Sequence, residues 1–129
     1  MSDYPEDVRY IATHQWVKLD DQGFARVGIT DVAQAALGDV VFVELPDIDR
    51  LLKADEVAAV VESLKAVSDV FSPVSGKVRA TNEQLDGDPE LVNESPYDKG
   101  WFFELENVRP EDLEQLLTAA AYRTLCESQ

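Results

Sequence analysis

The chain has 129 residues and a mass of 14.4 kDa, room for one compact domain on one core, and its 45% hydrophobic and 29% charged residues exclude wholesale disorder and fibrous repeats. Eleven Lys and Arg stand against 26 Asp and Glu, a net charge of −15, so phosphate backbones are repelled and nucleic acid is excluded as a partner. The longest aliphatic run, VAAVV at 57–61, falls far short of the roughly 20 residues that span a bilayer, so no membrane partner is expected. MSDYPEDVRYI at the start has neither the pattern of a secretion signal nor that of a transit peptide, and a cytoplasmic chain is the expectation.

In chain order, Thr13 to Leu19 alternates polar and apolar residues, DDQG at 20–23 supplies a turn, and FARVGI at 24–29 returns, predicting a hairpin with Thr13 and Gln15 on one face. Thr30 and Asp31 cap a helix of about two turns, VAQAAL, which stops at Gly38. VVFVEL at 40–45, ending at Pro46, reads as a largely buried strand. VAAVVE at 57–62 and VSDVFS at 67–72 are strands separated only by SLKA, a tight hairpin with Lys65 at its tip. PVSG at 73–76 is a turn and KVRA at 77–80 the next strand. In DPEL at 88–91 an Asp cap precedes a Pro, predicting short helical turns within 82–93, before the loop SPYDKG at 95–100.

WFFELE at 101–106 alternates, with Trp101, Phe103 and Leu105 on one face and Phe102, Glu104 and Glu106 on the other. After Pro110 a helical tail places Leu113, Leu116, Leu117 and Ala120 at helical spacing, with Thr118 able to cap a second helix. The fold class expected is mainly β: two antiparallel sheets over one core, short peripheral helices and a helical C-terminus, in a single domain over 1–129 without a linker.

The usual self-sufficient catalytic constellations are missing: the chain has no HExxH, GxSxG, CxxC or phosphate-cradling glycine loop. Carboxylate pairs such as Asp20 with Asp21 and Glu111 with Asp112 lie in turns or first helical turns, where solvation or capping accounts for them. His14 reads as a surface or packing residue rather than a metal ligand, and Cys126 as a partly buried helix residue with no chemistry. Lys65 is different. It is the only basic residue in 54–76, it falls at a hairpin tip, and Leu64, Ala66 and Val67 surround it with apolar side chains where an exposed turn is normally polar. Isolation alone fits a solvated turn lysine; the apolar flanks point to a surface built for contact.

Four strings, THQWV at 13–17, GITDVAQAALGDVVFVELP at 28–46, VVESLKAVSDVFSPVSGKV at 60–78 and ELVNESPYDKGWF at 90–102, resemble the glycine cleavage system H protein family, over nearly the whole chain. The resemblance implies a barrel-sandwich hybrid and a carrier rather than an enzyme, with lipoate in amide linkage on Lys65. It also implies that Glu62, Ser63, Leu64 and Ala66 form the string read by lipoyl-attaching enzymes. A biotinyl hairpin is similar but flanks its lysine with methionines, which are absent here. Asp49 and Asp55 stand where the family usually has glycine, and Asp is among the residues that tolerate left-handed geometry. Gln15 stands where the family commonly has an acidic residue, and brings no charge.

By the same resemblance, a pyridoxal-phosphate glycine decarboxylase loads the aminomethyl group onto the arm, an aminomethyltransferase passes the one-carbon unit to tetrahydrofolate with release of ammonia, and a flavin lipoamide dehydrogenase reoxidises the dithiol. A lysine stem plus lipoyl amide reaches roughly 14 Å, at ~1.2 Å of projection per bond. Asp69, four residues past the lysine, together with Thr13 and Gln15, are the candidates for sheltering the loaded group. The alternatives are a lipoyl relay that donates its lipoyl to other complexes, an unmodified interaction module, and a free-standing enzyme.

Overall fold

The computed structural model describes residues 3–128. Its strands are β1 (Arg9–Tyr10), β2 (Gln15–Leu19), β3 (Ala25–Ile29), β4 (Val40–Glu44), β5 (Leu51–Leu52), β6 (Val57–Ser63), β7 (Val67–Phe71), β8 (Gly76–Thr81) and β9 (Phe103–Glu106). Helices are short: α1 (Asp31–Leu37), α2 (Gln84–Gly87), α3 (Leu91–Glu94), α4 (Pro110–Glu114) and α5 (Ala119–Glu127). The strands form two antiparallel sheets, one of six in the order β1-β2-β3-β9-β8-β5 and one of three in the order β4-β6-β7. Inward side chains of both, among them Val27, Ile29, Val61, Val70, Val78 and Leu105, make the main core.

Local chemistry sets the connections. Thr30 in extended geometry accepts the Ala33 N–H and starts α1, and Gly38 at φ 79° ends it. Thr118 does the same for α5 by accepting the Ala121 N–H. Asp49 and Asp55 both sit at φ 72°, the left-handed geometry expected of those turns. A second apolar cluster of Val8, Tyr10, Trp16, Ala119 and Tyr122 holds α5 against β1 and β2.

Five local expectations are corrected. The first hairpin begins at Gln15; Thr13 and His14 lie in the turn before it, with His14 at φ 75°. β4 is only half buried, because a register shift between Val40 and Phe42 leaves both Val41 and Phe42 outside. Asp88 gives α3 its backbone carbonyl, accepting from Leu91 N at 3.1 Å, and its side chain caps nothing among the described residues.

In β9 the polar face is buried as well: Glu104, 5% exposed, lies between Arg26 at 3.4 Å and Arg79, and those guanidinium groups stack on Trp101 and Phe24 at 4.4 and 3.8 Å. The second helix of the tail is capped by Thr118 as expected, but the 113–120 stripe is broken: Leu117 lies outside both helices and exchanges two 2.9 Å backbone hydrogen bonds with Tyr10, extending the sheet edge.

Candidate functional site

The β6–β7 hairpin closes on Ser63 to Ala66. Ser63 N–H donates to the Ala66 carbonyl at 2.8 Å, and the buried Ser63 Oγ accepts the Lys65 and Ala66 amides at 3.3 and 3.1 Å. That hydroxyl replaces the backbone acceptors a turn leaves out. Leu64 N–H donates to Asp39 O at 3.1 Å, which fastens the tip to the loop between α1 and β4. Asn93 of α3 holds that loop in turn: its Oδ1 accepts Val40 N–H at 2.9 Å and its Nδ2 donates to Gly38 O at 2.8 Å and Gln34 Oε1 at 3.0 Å. The lysine's perch is therefore fixed from two sides.

Lys65 is exposed and makes no ion pair among the described residues. Its stem crosses Gly38, where a Cβ would stand in ordinary contact 3.4 Å from Lys65 Cε, so what that position asks of glycine is the positive φ. Around the amine lies an apolar rim: Leu64 is 76% exposed, Val67 66% and Phe42 51%. Phe42, Glu62 and Val67 form one cross-strand row, so their side chains share the outer face. Glu62, Leu64 and Ala66 are open to solvent while Ser63 is occupied with the turn.

Beside the tip runs a cleft of about 280 Å³ between α1, the turn before β2 and the β6–β7 hairpin. It brings together Thr13, Gln15 and Asp69, the residues singled out by resemblance, and runs up to Ala66 next to the lysine. Its body is aliphatic, from Ile29, Ala33, Leu37, Val61 and Val70. A larger open hollow of about 410 Å³ beside Glu44, Arg50 and Val60 holds none of these residues.

Gln15 is buried with its amide satisfied locally, donating to Thr13 O at 3.0 Å and accepting from Thr13 Oγ1. Asp69 is thus the one carboxylate of the cleft wall among the described residues. An aliphatic trough with a single carboxylate fits a chain of methylenes and sulfur whose polar end is an amine.

Sequence reasoning missed His14. Its strand-like spacing next to Trp16 hid a left-handed turn that swings the ring into the cleft wall, with Nδ1 2.6 Å from Tyr122 Oη of α5. Only the tail's return to β1, invisible in local pattern, brings that partner. Burial pushes the imidazole below its ordinary value of 6.5. The unfolded chain therefore takes up a proton near that value while the folded one resists. Stability is complete above pH ~6.5 and falls as pH drops toward the depressed folded value. His14 is the chain's one histidine, so thermal unfolding followed from about pH 7.5 to 5.5 should show a pH slope that His14→Gln loses, at most ~1.4 kcal/mol per pH unit. Equal slopes in the two proteins would remove His14 as the cause.

A family model described as "Glycine cleavage H-protein" matches residues 8–129. The "Glycine cleavage system H protein" of Psychrobacter cryohalolentis is 52% identical over 122 residues, covering 95% of this chain and 97% of the relative. The protein of the same name from Bacillus velezensis is 51% identical over 118 residues, covering 92% of each. Among solved structures, the crystal structure of a glycine cleavage system H protein from Mycobacterium marinum superposes with a TM-score of 0.86 at 38% identity, covering 95% of this chain and 98% of that one.

Proposed function

Because the chain belongs to the glycine cleavage H-protein family, we propose that it is the lipoyl-bearing carrier of that system, with lipoate in amide linkage on Lys65. The observation that carries this is the pairing of an exposed amine at an apolar-rimmed hairpin tip with an aliphatic cleft beside it. The lipoyl group, when attached, supplies a disulfide that accepts the decarboxylated glycine fragment and a tether that carries it, so that the hard chemistry stays with the cofactors of the partner enzymes.

This chain's own residues do three things. Ser63, Asp39 and Asn93 hold the attachment turn rigid, so that Lys65 is offered in one orientation. Glu62, Leu64 and Ala66 present the surface an attaching enzyme reads. The cleft shelters the loaded end from water: its aliphatic wall takes the methylenes, Asp69 offers a carboxylate to the amine, and Thr13 with Gln15 closes the end with a neutral, already satisfied pair.

Partners on this reading are the pyridoxal-phosphate glycine decarboxylase, the folate-dependent aminomethyltransferase, the flavin lipoamide dehydrogenase and the lipoyl-attaching enzymes, all sharing one compartment with the carrier. Tethering gives the cargo a high local concentration in a docked partner without tight binding. A net charge of −15 steers the carrier toward basic rims on those partners. Association rates with the decarboxylase should therefore fall as the Debye length contracts from about 10 Å at 0.1 M salt to about 3 Å at 1 M; a salt-independent rate would refute the steering.

The direct test of function is reconstitution. Lipoylated protein with the pyridoxal-phosphate decarboxylase should support glycine-dependent release of CO₂, and the unmodified chain should not. Equal release with both would end the carrier reading.

A further inference from the structure

The hydroxyls behind the cleft wall fix where the protons lie. Thr30 Oγ1, fully buried, accepts the Ala33 N–H at 3.2 Å, and the acceptor within reach of its own proton is Tyr122 Oη at 2.7 Å. Tyr122, also fully buried, then accepts from Thr30 and sends its own proton to His14 Nδ1, the stronger acceptor in reach at 2.6 Å. Reversing the Thr30–Tyr122 bond leaves the buried Thr30 proton without an acceptor, and since a thiol sulfur accepts only weakly, Nδ1 is the better acceptor for Tyr122 than Cys126 beside it. The chain Ala33→Thr30→Tyr122→His14 therefore runs one way, and the neutral ring carries its proton on Nε2, the nitrogen that has no partner among the described residues. Burial favours the neutral ring, and among the described residues no carboxylate offsets it.

We propose that His14 is a second polar contact of the cleft, with Nε2–H donating a hydrogen bond to the group the tethered arm brings in. The titratable groups of the cleft lining are His14 and Asp69, on separate walls. One donates and the other accepts, so the cleft offers the arriving group a donor on one wall and an acceptor on the other. An uncharged primary amine has a feature for each, an N–H for Asp69 and a lone pair for His14. An ammonium ion, with no lone pair, satisfies Asp69 alone. Only the neutral amine engages both groups, and a lone pair held by His14 is withheld from chemistry in water. This rests on the carrier reading for the arm, though the proton arrangement of the unmodified chain does not.

Ring-nitrogen NMR on the full-length ¹⁵N-labelled chain tests both levels, and one histidine makes the assignment unambiguous. In the unmodified chain at neutral pH, Nε2 should be protonated and Nδ1 should show the shift of a hydrogen-bond acceptor that Tyr122→Phe removes. An Nδ1–H tautomer, or an Nδ1 shift unchanged in Tyr122→Phe, would overturn the relay. In lipoylated chain loaded with glycine by the decarboxylase, the Nε2 signal should move relative to the unloaded lipoylated form. An unmoved signal in protein shown by mass to be lipoylated and loaded would overturn the contact while leaving the carrier reading intact. Absence of lipoyl from that protein would instead sink the carrier reading. Ammonia release from the loaded chain, with the transferase absent, should be several-fold faster in His14→Phe than in His14→Gln, which keeps an N–H donor; equal rates would count against His14.

Discussion

Lys65→Arg should fold like the native chain and carry no cargo at all. The side chain is exposed, makes no ion pair among the described residues and passes over Gly38, so a longer cation there changes stability by no more than ~0.5 kcal/mol. The chemistry, by contrast, is lost outright. Amide formation needs a lysine amine that gives up its charge, and a guanidinium stays protonated at any accessible pH. Expected are an unchanged unfolding midpoint, a mass without lipoyl after treatment with the attaching enzyme, and no glycine-dependent CO₂ release. Release at the native rate would show that some other residue carries the group.

Trp16→Ala should be the costliest single truncation near the cleft. Trp16 is fully buried, donates Nε1–H to Pro96 O at 2.9 Å, and lies so close beneath Gly28 that a Cβ there would stand 2.7 Å from its indole nitrogen. Removing the ring leaves a cavity and an unsatisfied carbonyl, a loss of about 3 to 5 kcal/mol. For a domain of this size the midpoint of thermal unfolding should fall by about 10 to 20 °C. Because β2 carries Gln15 on the cleft wall and Trp16 into the second cluster, the cleft should loosen with it. A fall of less than about 3 °C would contradict the packing described.

Much of this was legible from sequence because local rules decide it. Two strands four residues apart leave only a tight turn, so Lys65 at the tip followed from spacing, and Gly38 and Thr30 marked the ends of α1 by capping chemistry. The resemblance to the family, carried by ESLKAVSD and its companions, agrees with the 8–129 match.

What local pattern could not reveal is what distant segments bring. Glu104 reads as a solvent-face residue until β8 and β3 supply Arg79 and Arg26 on either side. Val41 and Phe42 read as core until the register shift in β4 turns both outward. His14 reads as packing until α5, 108 residues on, places Tyr122 against it. Asn93 gave no signal, since an asparagine between short helical turns looks like a loop residue, yet it ties Gly38, Val40 and Gln34 together under the Lys65 tip.

The measurement that bears most directly on the carrier role is the mass of the protein isolated from its own cells, followed by proteolysis to localise any added group. The expected result is an increment of one lipoyl group, confined to the peptide that spans Glu62–Asp69 and absent from Lys65→Arg. A chain of unmodified mass, or one bearing its group on another residue, would contradict it.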